Sequence, residues 1–401
     1  MALLPVADAL AMLLDGARPA RAETAPLHSA AGRVLAENLE ARRTQPPFDA
    51  SAMDGYAVRS ADAAQAPVTL ELVGVSAAGA GYRGALGKQQ AVRIFTGAPL
   101  PDGADAIVIQ ENTGRPDDGK VEILEPAIAG RHIRRRGLDF GEGDVLLEQG
   151  RVLDPAALSL AAAGNAPTLS VWRKPLVALI ATGDELRMPG ETPGSDQIIS
   201  SNAFGVAAIC AANGADVVDL GIAADRIEAI SDLVRQATDL GADVIVTLGG
   251  ASVGDHDLVN QALTDLGLQP GFWKIAMRPG KPLMYGRLRE VRCLGLPGNP
   301  VSSLVCSHLF LKPMVRAMAG LPPANDEFDG VLGADMAGND NRQDYVRATL
   351  AFVDGDRVAT PFPVQDSSML RILAQANAAI IRPPYAPAAR AGEPCRLLML
   401  R

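Results

Sequence analysis

The chain has 401 residues, 48% of them hydrophobic, and a formal net charge of −9. A chain of this length can bury more than one core and is expected to form roughly two to four domains. The negative charge argues against nucleic acid and anionic membranes as partners, and no stretch approaches the ~18 apolar residues of a membrane span. Four cysteines without a C-x-x-C pair and four histidines without an H-E-x-x-H motif support neither a disulfide framework nor a zinc site. We therefore expect a cytoplasmic protein.

Residues 1–174 are predicted to form an N-terminal helical and β lobe of two subdomains. Residues 5–40 have an Ala- and Leu-rich face that indicates mainly helical structure. Asp154 and Pro155 mark a later helix start, because Asp caps free amides and Pro suits the first helical position. Between these segments, short apolar runs separated by Gly, Pro and Asp turns predict a small, mostly β lobe. The runs are residues 68–75, 91–95, 106–109 and 121–124.

Residues 175–320 alternate apolar strands with amphipathic helices. The predicted strands are residues 176–181, 217–221 and 244–248, and the predicted helices are residues 202–212, 227–240 and 302–318. This alternation predicts a doubly wound, mostly parallel sheet, whose ligand lies at the carboxyl ends of its strands. Residues 321–401 are predicted to add a small β domain. The chain as a whole is expected to be a multi-domain α/β protein.

Polar, glycine-rich loops follow the first and third predicted strands of the α/β domain. Glycine permits positive φ, so backbone N–H groups can approach an anion, and the next helix start adds partial positive charge. We predict a phosphate-binding site here. The spacing fits neither the G-x-G-x-x-G nor the P-loop motif, and a plain tight turn is the alternative. The residues concerned are Thr182, Gly249, Gly250, Ser252 and Gly254.

Acidic residues in the same loops are expected to surround one crevice: Asp184, Glu185, Asp255 and Asp257. Such carboxylates suit Mg²⁺, with substrate phosphate as the remaining ligand. Helix capping is an equal alternative for Asp184 and Asp255. Glu185 and Asp257 are therefore the predicted metal ligands.

Two rigid turns and three cations come further along the α/β domain. Lys274, Arg278 and Lys281 precede a turn that is bounded by Pro297 and Pro300. Proline fixes φ and glycine opens the backbone, so such turns can present a preorganised oxyanion pocket. Ordinary surface turns are the alternative.

Polar loops also interrupt the apolar N-terminal lobe, at residues 51–58, 96–105 and 134–139. The last of them contains three consecutive arginines, followed by a glycine and an aspartate. This pattern fits recognition of a phosphate or another oxyanion, and a solvated charged surface is the alternative.

Seven motifs follow one another along the chain. They are Ser51-Ala-Met-Asp-Gly-Tyr-Ala-Val, Thr96-Gly-Ala-Pro, Arg134-Arg-Arg-Gly, Thr182-Gly-Asp-Glu-Leu, Gly249-Gly-Ala-Ser-Val-Gly-Asp, Pro279-Gly-Lys-Pro and Leu296-Pro-Gly-Asn-Pro-Val-Ser. In this order they resemble the molybdopterin molybdenumtransferase family, which is related to the C-terminal domain of gephyrin. The resemblance covers nearly the whole chain.

The resemblance implies an enzyme that takes adenylylated molybdopterin and molybdate and yields molybdenum cofactor and AMP, with Mg²⁺ assisting the release. It also implies a homodimer, with molybdopterin adenylyltransferase and molybdoenzymes as further partners. The acidic residues that it marks as catalytic are Asp54, Asp139, Glu185, Asp225 and Asp257. The residues that it marks as substrate-binding are Thr96, Arg134, Lys274, Arg278, Lys281, Pro297, Pro300 and Ser367.

Two other functions compete with this one. Molybdopterin adenylyltransferase resembles residues 175–320 alone and shares the Gly-Gly-x-Ser loop, but the flanking domains count against it. A non-catalytic scaffold is the alternative of another class, because gephyrin also clusters receptors. The chain carries no long linker that would favour a scaffold, and it retains the motifs that the resemblance marks as catalytic.

Overall fold

The computed structural model describes residues 3–250 and 258–401. It separates into two compact units. The first, here called the α/β unit, contains Met1–Glu23, Gly32–Val34 and Val171–Arg401. The second, here called the β lobe, contains Thr24–Ala31 and Leu35–Ser170.

The first half of the chain is mostly β structure, with two α-helices, α1 (Val6–Leu14) and α2 (Pro155–Ala163). Its strands are β1 (Ala22–Pro26), β2 (Leu39–Glu40), β3 (Ala50–Ser51), β4 (Gly55–Val58), β5 (Val68–Ser76), β6 (Gln90–Ile94), β7 (Ala106–Ile109), β8 (Thr113–Gly114), β9 (Lys120–Ile123), β10 (Ile133–Arg134) and β11 (Val145–Leu147). The four predicted apolar runs coincide with β5, β6, β7 and β9, so those predictions are confirmed.

A six-stranded sheet in the order β7-β4-β6-β5-β9-β8 forms the centre of the β lobe. Ala57, Val92 and Ile107 belong to one buried cluster, and Tyr56 and Val121 to another. Because Tyr56 and Ala57 are neighbours in β4, their side chains point to opposite faces, and both faces of the sheet are covered. The predicted helix start at residue 154 is also confirmed, because the Asp154 carboxylate accepts the amide of Ala157 at 2.8 Å.

The prediction that residues 5–40 are mainly helical is wrong beyond Leu14. Helix α1 ends at Leu14 and is capped by Asp15, and Gly16 then adopts a left-handed φ of +59°. Pro19 follows within three residues, and proline cannot continue a helix. The apolar residues beyond it, such as Val34 and Leu35, are buried from extended segments instead.

The middle of the chain alternates strands and helices. Its strands are β12 (Thr168–Trp172), β13 (Leu176–Thr182), β14 (Leu186–Arg187), β15 (Ile198–Ile199), β16 (Asp216–Ala223), β17 (Val244–Leu248), β18 (Gln269–Lys274), β19 (Met277–Arg278), β20 (Pro282–Leu288) and β21 (Val291–Leu296). Its helices are α3 (Asn202–Ala212), α4 (Ile227–Asp239), α5 (Leu258–Asp265), α6 (Pro300–Cys306) and α7 (Lys312–Met318), and a π-helical turn (Ser307–Leu311) joins α6 to α7.

A six-stranded sheet in the order β16-β13-β17-β21-β20-β18 crosses the α/β unit. Strands β16, β13, β17 and β21 are parallel neighbours, which confirms the predicted doubly wound sheet. Strands β20 and β18 extend it in the antiparallel direction. Residues of α1, α3 and α6 pack on one face, including Leu13, Val206 and Val305, and residues of α4 and α5 pack on the other, including Ile230 and Val259.

The last part of the chain forms a closed β barrel. Its elements are β22 (Glu327–Leu332), β23 (Gln343–Val353), β24 (Asp356–Pro361), α8 (Leu370–Gln375), β25 (Ala378–Arg382) and β26 (Pro394–Met399). The strands follow the order β23-β24-β22-β26-β25, and β25 pairs again with β23. Strand β19 also pairs with β23, which ties the barrel to the α/β sheet within the same unit.

The domain division at residues 174 and 320 stays a prediction, and the structure adds a detail to it. Ala9 and Leu13 of helix α1 are buried in the core of the α/β sheet. Arg292 holds the end of this helix, because its guanidinium donates to the carbonyls of Leu13 and Asp15 at 2.7 Å each. In the described ranges, no helix is long and apolar enough to cross a membrane.

Candidate functional site

A cavity of about 710 Å³ lies at the carboxyl ends of the parallel strands β13, β17 and β21. The residues that follow these strands line it, as expected for a ligand site in an open α/β sheet. They include Thr182, Glu185, Gly249, Gly250, Pro297, Gly298, Asn299 and Pro300. The structure thus brings together many of the residues that the sequence predicts to bind substrate.

Backbone packing explains the glycines that end strand β17. Gly249 has a φ of +97°, and a Cβ atom there would lie 2.9 Å from the carbonyl oxygen of Thr182. Gly250 has a φ of +67°, and its Cβ would lie 2.3 Å from a methyl group of Val259. Only glycine fits both requirements. The backbone of Gly249 and Gly250 is therefore exposed to the cavity without a side chain to cover it.

Thr182 contributes a buried hydroxyl to the same wall. Its side chain is only 5% exposed, and its Oγ1 has no hydrogen-bond partner in the part of the chain that the structure describes. A buried polar group without a partner is costly, so such a group at a cavity is suited to bind a ligand.

Glu185 presents a carboxylate at the cavity. Its side chain lies against Gly183, where a Cβ atom would be 2.5 Å from Oε2 of Glu185. The carboxylate has no hydrogen bond or ion pair to the residues 3–250 and 258–401. An exposed, unpaired carboxylate suits a divalent cation. Ser252, Gly254 and Asp257, which the sequence predicts for this site, lie outside the described residues.

Asp225 is not among the residues that line the cavity. Its carboxylate accepts the amide of Asp184 at 3.4 Å, and its own amide donates to the Asp184 carboxylate at 3.1 Å. These contacts give both aspartates a role in holding loops. Within the described ranges, no group of three or more His, Cys, Asp and Glu side chains could hold a metal ion.

The Pro297–Pro300 turn is fixed by amide side chains. Asn202 donates to the carbonyl of Gly298 at 2.8 Å, and Asn299 donates to the Ser367 hydroxyl at 2.9 Å. The amide of Val301 also donates to the carbonyl of Ser367 at 3.0 Å. Ser367 thus joins the barrel to this turn, and its neighbour Ser368 lines the cavity.

The three predicted cations have different surroundings. Lys274 lies opposite Pro282, a residue of the cavity wall, in the β18–β20 pairing. Lys281 is exposed and precedes Pro282 directly, and neither lysine has an ion pair to the residues described. Arg278 forms a short ion pair with the nearly buried Asp344 of the barrel. Lys274 and Lys281 are therefore the cations that remain available to an anion.

Arg347 was not predicted from the sequence. It is 1% exposed in the barrel, and its Nε and backbone amide both donate to Oε1 of Gln365, at 3.2 and 3.0 Å. Its Nη1 has no partner among the described residues. Burial lowers the pKa of this guanidinium. Gln365 begins the loop that carries Ser367 and Ser368, so a buried cation lies beneath that loop. The burial of Arg347 is visible only in the structure.

The β lobe contains a second group of predicted site residues. The Asp54 carboxylate accepts two hydrogen bonds from Thr96, from the amide at 2.7 Å and from the hydroxyl at 2.8 Å. The hydrogen bond from the Thr96 amide is the main reason that the pKa of Asp54 lies below its usual range. The structure thus brings Asp54 and Thr96 into contact, and the Asp54 carboxylate stays ionised at neutral pH.

The arginine loop lies beside the strand that leads to Asp54. Arg134 pairs with Ala50 in the β10–β3 ladder. Arg135 forms a 2.6 Å ion pair with Asp49, and the amide of Arg136 donates to the same carboxylate at 2.8 Å. The side chains of Arg134 and Asp139 are exposed and have no such partner in the described ranges. The Arg136 side chain donates from Nε to the carbonyl of Pro47 at 3.2 Å. Of the three arginines, Arg134 is therefore the one whose side chain has no partner among the described residues.

The fold and the cavity define a multi-domain α/β protein with a cavity at the carboxyl ends of a parallel sheet. Three family descriptions match the chain in order. They are "MoeA N-terminal region (domain I and II)" over residues 4–164, "Probable molybdopterin binding domain" over residues 178–317 and "MoeA C-terminal region (domain IV)" over residues 329–400.

Similar proteins cover nearly the full length. "Molybdopterin molybdenumtransferase 2" of Mycobacterium tuberculosis is 38% identical over 371 residues, 90% of each chain. "Molybdopterin molybdenumtransferase" of Bacillus subtilis is 34% identical and covers 99% of this chain and 94% of its own. A crystal structure of the molybdopterin biosynthesis MoeA protein from Pyrococcus horikoshii matches with a TM-score of 0.85 and 28% identity, over 100% of both chains. The chain belongs to the molybdopterin molybdenumtransferase family and is an enzyme of molybdenum cofactor biosynthesis.

Proposed function

We propose that this enzyme inserts molybdate into adenylylated molybdopterin, breaks the pyrophosphate link and releases AMP, which gives molybdenum cofactor. The observation that carries the proposal is the 710 Å³ cavity, where glycine-exposed backbone meets a carboxylate and a hydroxyl that have no partner among the described residues. Such a lining suits a phosphate-bearing ligand. The relatives with this name align with almost the whole chain, including the parts on either side of the α/β sheet.

Phosphate binding is assigned to the strand ends. We expect Thr182, Gly249 and Gly250 to bind the phosphates of the substrate, together with Ser252 and Gly254. Backbone N–H groups that glycine leaves accessible are good phosphate ligands, and the Thr182 hydroxyl would gain the partner that it lacks.

Molybdate binding is assigned to the cations and the proline turn. Lys274 and Lys281, which have no ion pair to the residues described, can pair with an oxyanion. Ser367 joins the barrel to the turn of Pro297 and Pro300. Arg347 adds a buried positive charge behind the Ser367 loop. Arg278 is expected to act through its ion pair with Asp344, which would order the turn that follows it, residues 279–282.

A Mg²⁺ ion is expected at the free carboxylate of Glu185, with Asp257 as the second protein ligand. Glu185 fits the role because it lines the cavity and its carboxylate has no partner in residues 3–250 and 258–401. When bound, the ion would neutralise charge on the substrate phosphates and assist departure of AMP. The protein's own part would be to hold these carboxylates in position for the ion.

The β-lobe residues Asp54, Thr96, Arg134 and Asp139 are proposed to serve the same reaction. Thr96 orients the charged Asp54 carboxylate through two hydrogen bonds. Arg134 offers a guanidinium without a partner among the described residues to an anionic group. We further propose a cytoplasmic homodimer that receives its substrate from molybdopterin adenylyltransferase and delivers its product to molybdoenzymes. Sedimentation of the purified protein at about 84 kDa, twice the mass of one chain of 41.8 kDa, would support the dimer.

An assay of AMP release tests the proposed reaction. The pure protein is incubated with adenylylated molybdopterin, Mg²⁺ and molybdate, and AMP is followed with time. We expect AMP only when both the metal and molybdate are present. Equal release with EDTA would refute the role of Mg²⁺. Consumption of ATP with free molybdopterin, without action on the adenylylated form, would show an adenylyltransferase instead.

A further inference from the structure

Arg93 occupies the middle of a side-chain cluster on the β lobe. It lies directly opposite Tyr56 in the β4–β6 pairing, and Phe95 follows two residues later on the same side of the chain. Its guanidinium carbon lies 5.0 Å from the ring centres of both Tyr56 and Phe95. Cation–π contacts to two rings restrict where this guanidinium can lie.

The same guanidinium also donates two hydrogen bonds. Its Nη1 reaches the carbonyl of Gly55 at 3.3 Å, and its Nη2 reaches Oε1 of Gln110 at 2.6 Å. The two rings fix its plane, and the two hydrogen bonds fix its direction. One side chain therefore links strand β6 to its neighbour β4, which begins at Gly55, and to Gln110, which follows β7 on the far side of β4.

These partners are also the ones that hold Asp54. The carbonyl of Asp54 accepts the amide of Gln110 at 3.1 Å, and Gly55 is the next residue in the chain. The Asp54 carboxylate is held by Thr96, which follows Phe95 directly. Arg93 thus contacts residues on both sides of Asp54. Gly55 and Gln110 adjoin the Asp54 backbone, and Phe95 precedes Thr96, which holds the Asp54 carboxylate.

We propose that Arg93 is a positioning residue for the reaction: it fixes the backbone and the carboxylate of Asp54 through Gly55, Gln110 and Phe95, without binding substrate itself. The proposal rests on the proposed role of Asp54. This role requires a planar cation with several donors. Lysine cannot replace Arg93, because an ammonium group neither stacks on two rings nor reaches two acceptors in a fixed geometry.

The test compares Arg93→Met and Arg93→Lys with wild type in the AMP-release assay, using the full-length protein. Methionine keeps most of the stem and removes the charge and the donors. We expect kcat of Arg93→Met to fall about 10- to 100-fold, as for a displaced catalytic group, while KM for molybdate stays within about twofold. Arg93→Lys should recover only part of the loss. Arg131→Met is the matched control, because Arg131 is in the same lobe and its side chain, within the described ranges, makes a single 3.5 Å ion pair, with Glu125.

A double variant separates positioning from a general structural effect. If Arg93 acts through Asp54, then Arg93→Met should cost nothing further in an Asp54→Asn background, so the two losses are not additive. Additive losses would overturn the proposal, as would a wild-type kcat for Arg93→Met. Circular dichroism and melting of each variant identify a folding failure, and Arg93→Lys in the Asp54→Asn background then gives the same comparison.

Different outcomes would refute the proposed roles of Asp54 and Arg93. A fully active Asp54→Asn enzyme would refute the proposed role of Asp54, and with it the role of Arg93. An Asp54→Asn enzyme of strongly reduced but measurable activity, combined with a fully active Arg93→Met enzyme, would refute the role of Arg93 alone.

Discussion

Asp184 and Asp225 hold each other's loops through a reciprocal pair of hydrogen bonds. The amide of Asp225 donates to the Asp184 carboxylate at 3.1 Å, and the amide of Asp184 donates to the Asp225 carboxylate at 3.4 Å. Asp184 follows strand β13 and immediately precedes Glu185, the free carboxylate at the cavity. Asp225 therefore acts on the position of Glu185 from the loop that follows β16, in addition to any catalytic role.

Two substitutions of Asp225 distinguish the structural role from the catalytic one. An asparagine at this position can still accept the amide of Asp184, whereas an alanine cannot. If the loop contact is what matters, Asp225→Asn should keep most of the AMP-release activity and Asp225→Ala should lose it. If the charge itself takes part in the reaction, both variants should be equally inactive. Steady-state kcat for AMP release is the measurement.

Gly55 has no room for a side chain. A Cβ atom there would lie 2.0 Å from the carbonyl oxygen of Val108 and 2.9 Å from the Cα of Ile109, both in the adjacent strand β7. Backbone cannot rotate away as a side chain can, so Gly55→Ala must separate the two strands. We expect a loss of about 1 to 3 kcal/mol from overpacking, seen as a lower melting temperature, together with misplacement of Asp54.

Gly141→Ala is the control for that substitution. Its Cβ would lie 3.4 Å from the nearest atom, Oδ2 of Asp144, which is an ordinary contact with a side chain. This variant should melt within about 1 kcal/mol of wild type, because surface substitutions away from packing features have small effects. Equal melting of both variants would mean that β4 and β7 are not as close as the structure shows.

The sequence predicts the strands and helices whose apolar pattern is continuous. Residues 176–181 and 244–248 read as buried parallel strands, and both form the centre of the sheet. Strands β18 and β20 were not predicted, because prolines and glycines interrupt them and make them look like turns. Their place at the antiparallel end of the sheet is set by tertiary pairing, which local pattern does not contain.

Site residues show the same limit. The glycine and proline loops were predicted because their chemistry is local, and they do line one cavity. Arg347 was missed because an arginine in a strand gives no sign of burial until Gln365, 18 residues away, is seen to hold it. The contact between Asp54 and Thr96 likewise joins residues 42 apart in the chain.

His308 makes stability depend on pH. It lies in the π-helical turn between α6 and α7, and burial lowers its pKa to about 4, with Lys312 as a smaller cause in the same direction and Asp326 opposing it. The ordinary value is 6.5, so between pH 6.5 and about 4 the unfolded chain binds the proton and the folded chain does not. Stability contributed by the neutral histidine is therefore full above pH 6.5 and falls as the pH drops through this window.

A comparison with His308→Gln measures that contribution. The free energy of unfolding of wild type should fall by about 2 to 3 kcal/mol more than that of the variant between pH 7.5 and pH 4.5. The readout is the difference between the two pH dependences in urea titrations, so a general loss of stability in the variant does not affect it. Parallel pH dependences would mean that folding does not shift the pKa of His308.

The last prediction concerns Lys281→Glu. Lys281 is exposed beside Pro282 of the cavity wall, and no ion pair within the described ranges occupies its ammonium group. If this ammonium binds molybdate, its loss removes a charge-assisted contact that contributes about 1.5 to 3 kcal/mol, and the glutamate adds repulsion. Because 1.4 kcal/mol is a factor of ten, the molybdate concentration for half-maximal AMP release should rise at least about tenfold.

Lys88→Glu is the control for this last variant. Lys88 is an exposed lysine of the β lobe without an ion pair in the described ranges, and its charge reversal changes the net charge equally. The control should keep the wild-type molybdate requirement, and an unchanged requirement in Lys281→Glu itself would remove Lys281 from the molybdate site.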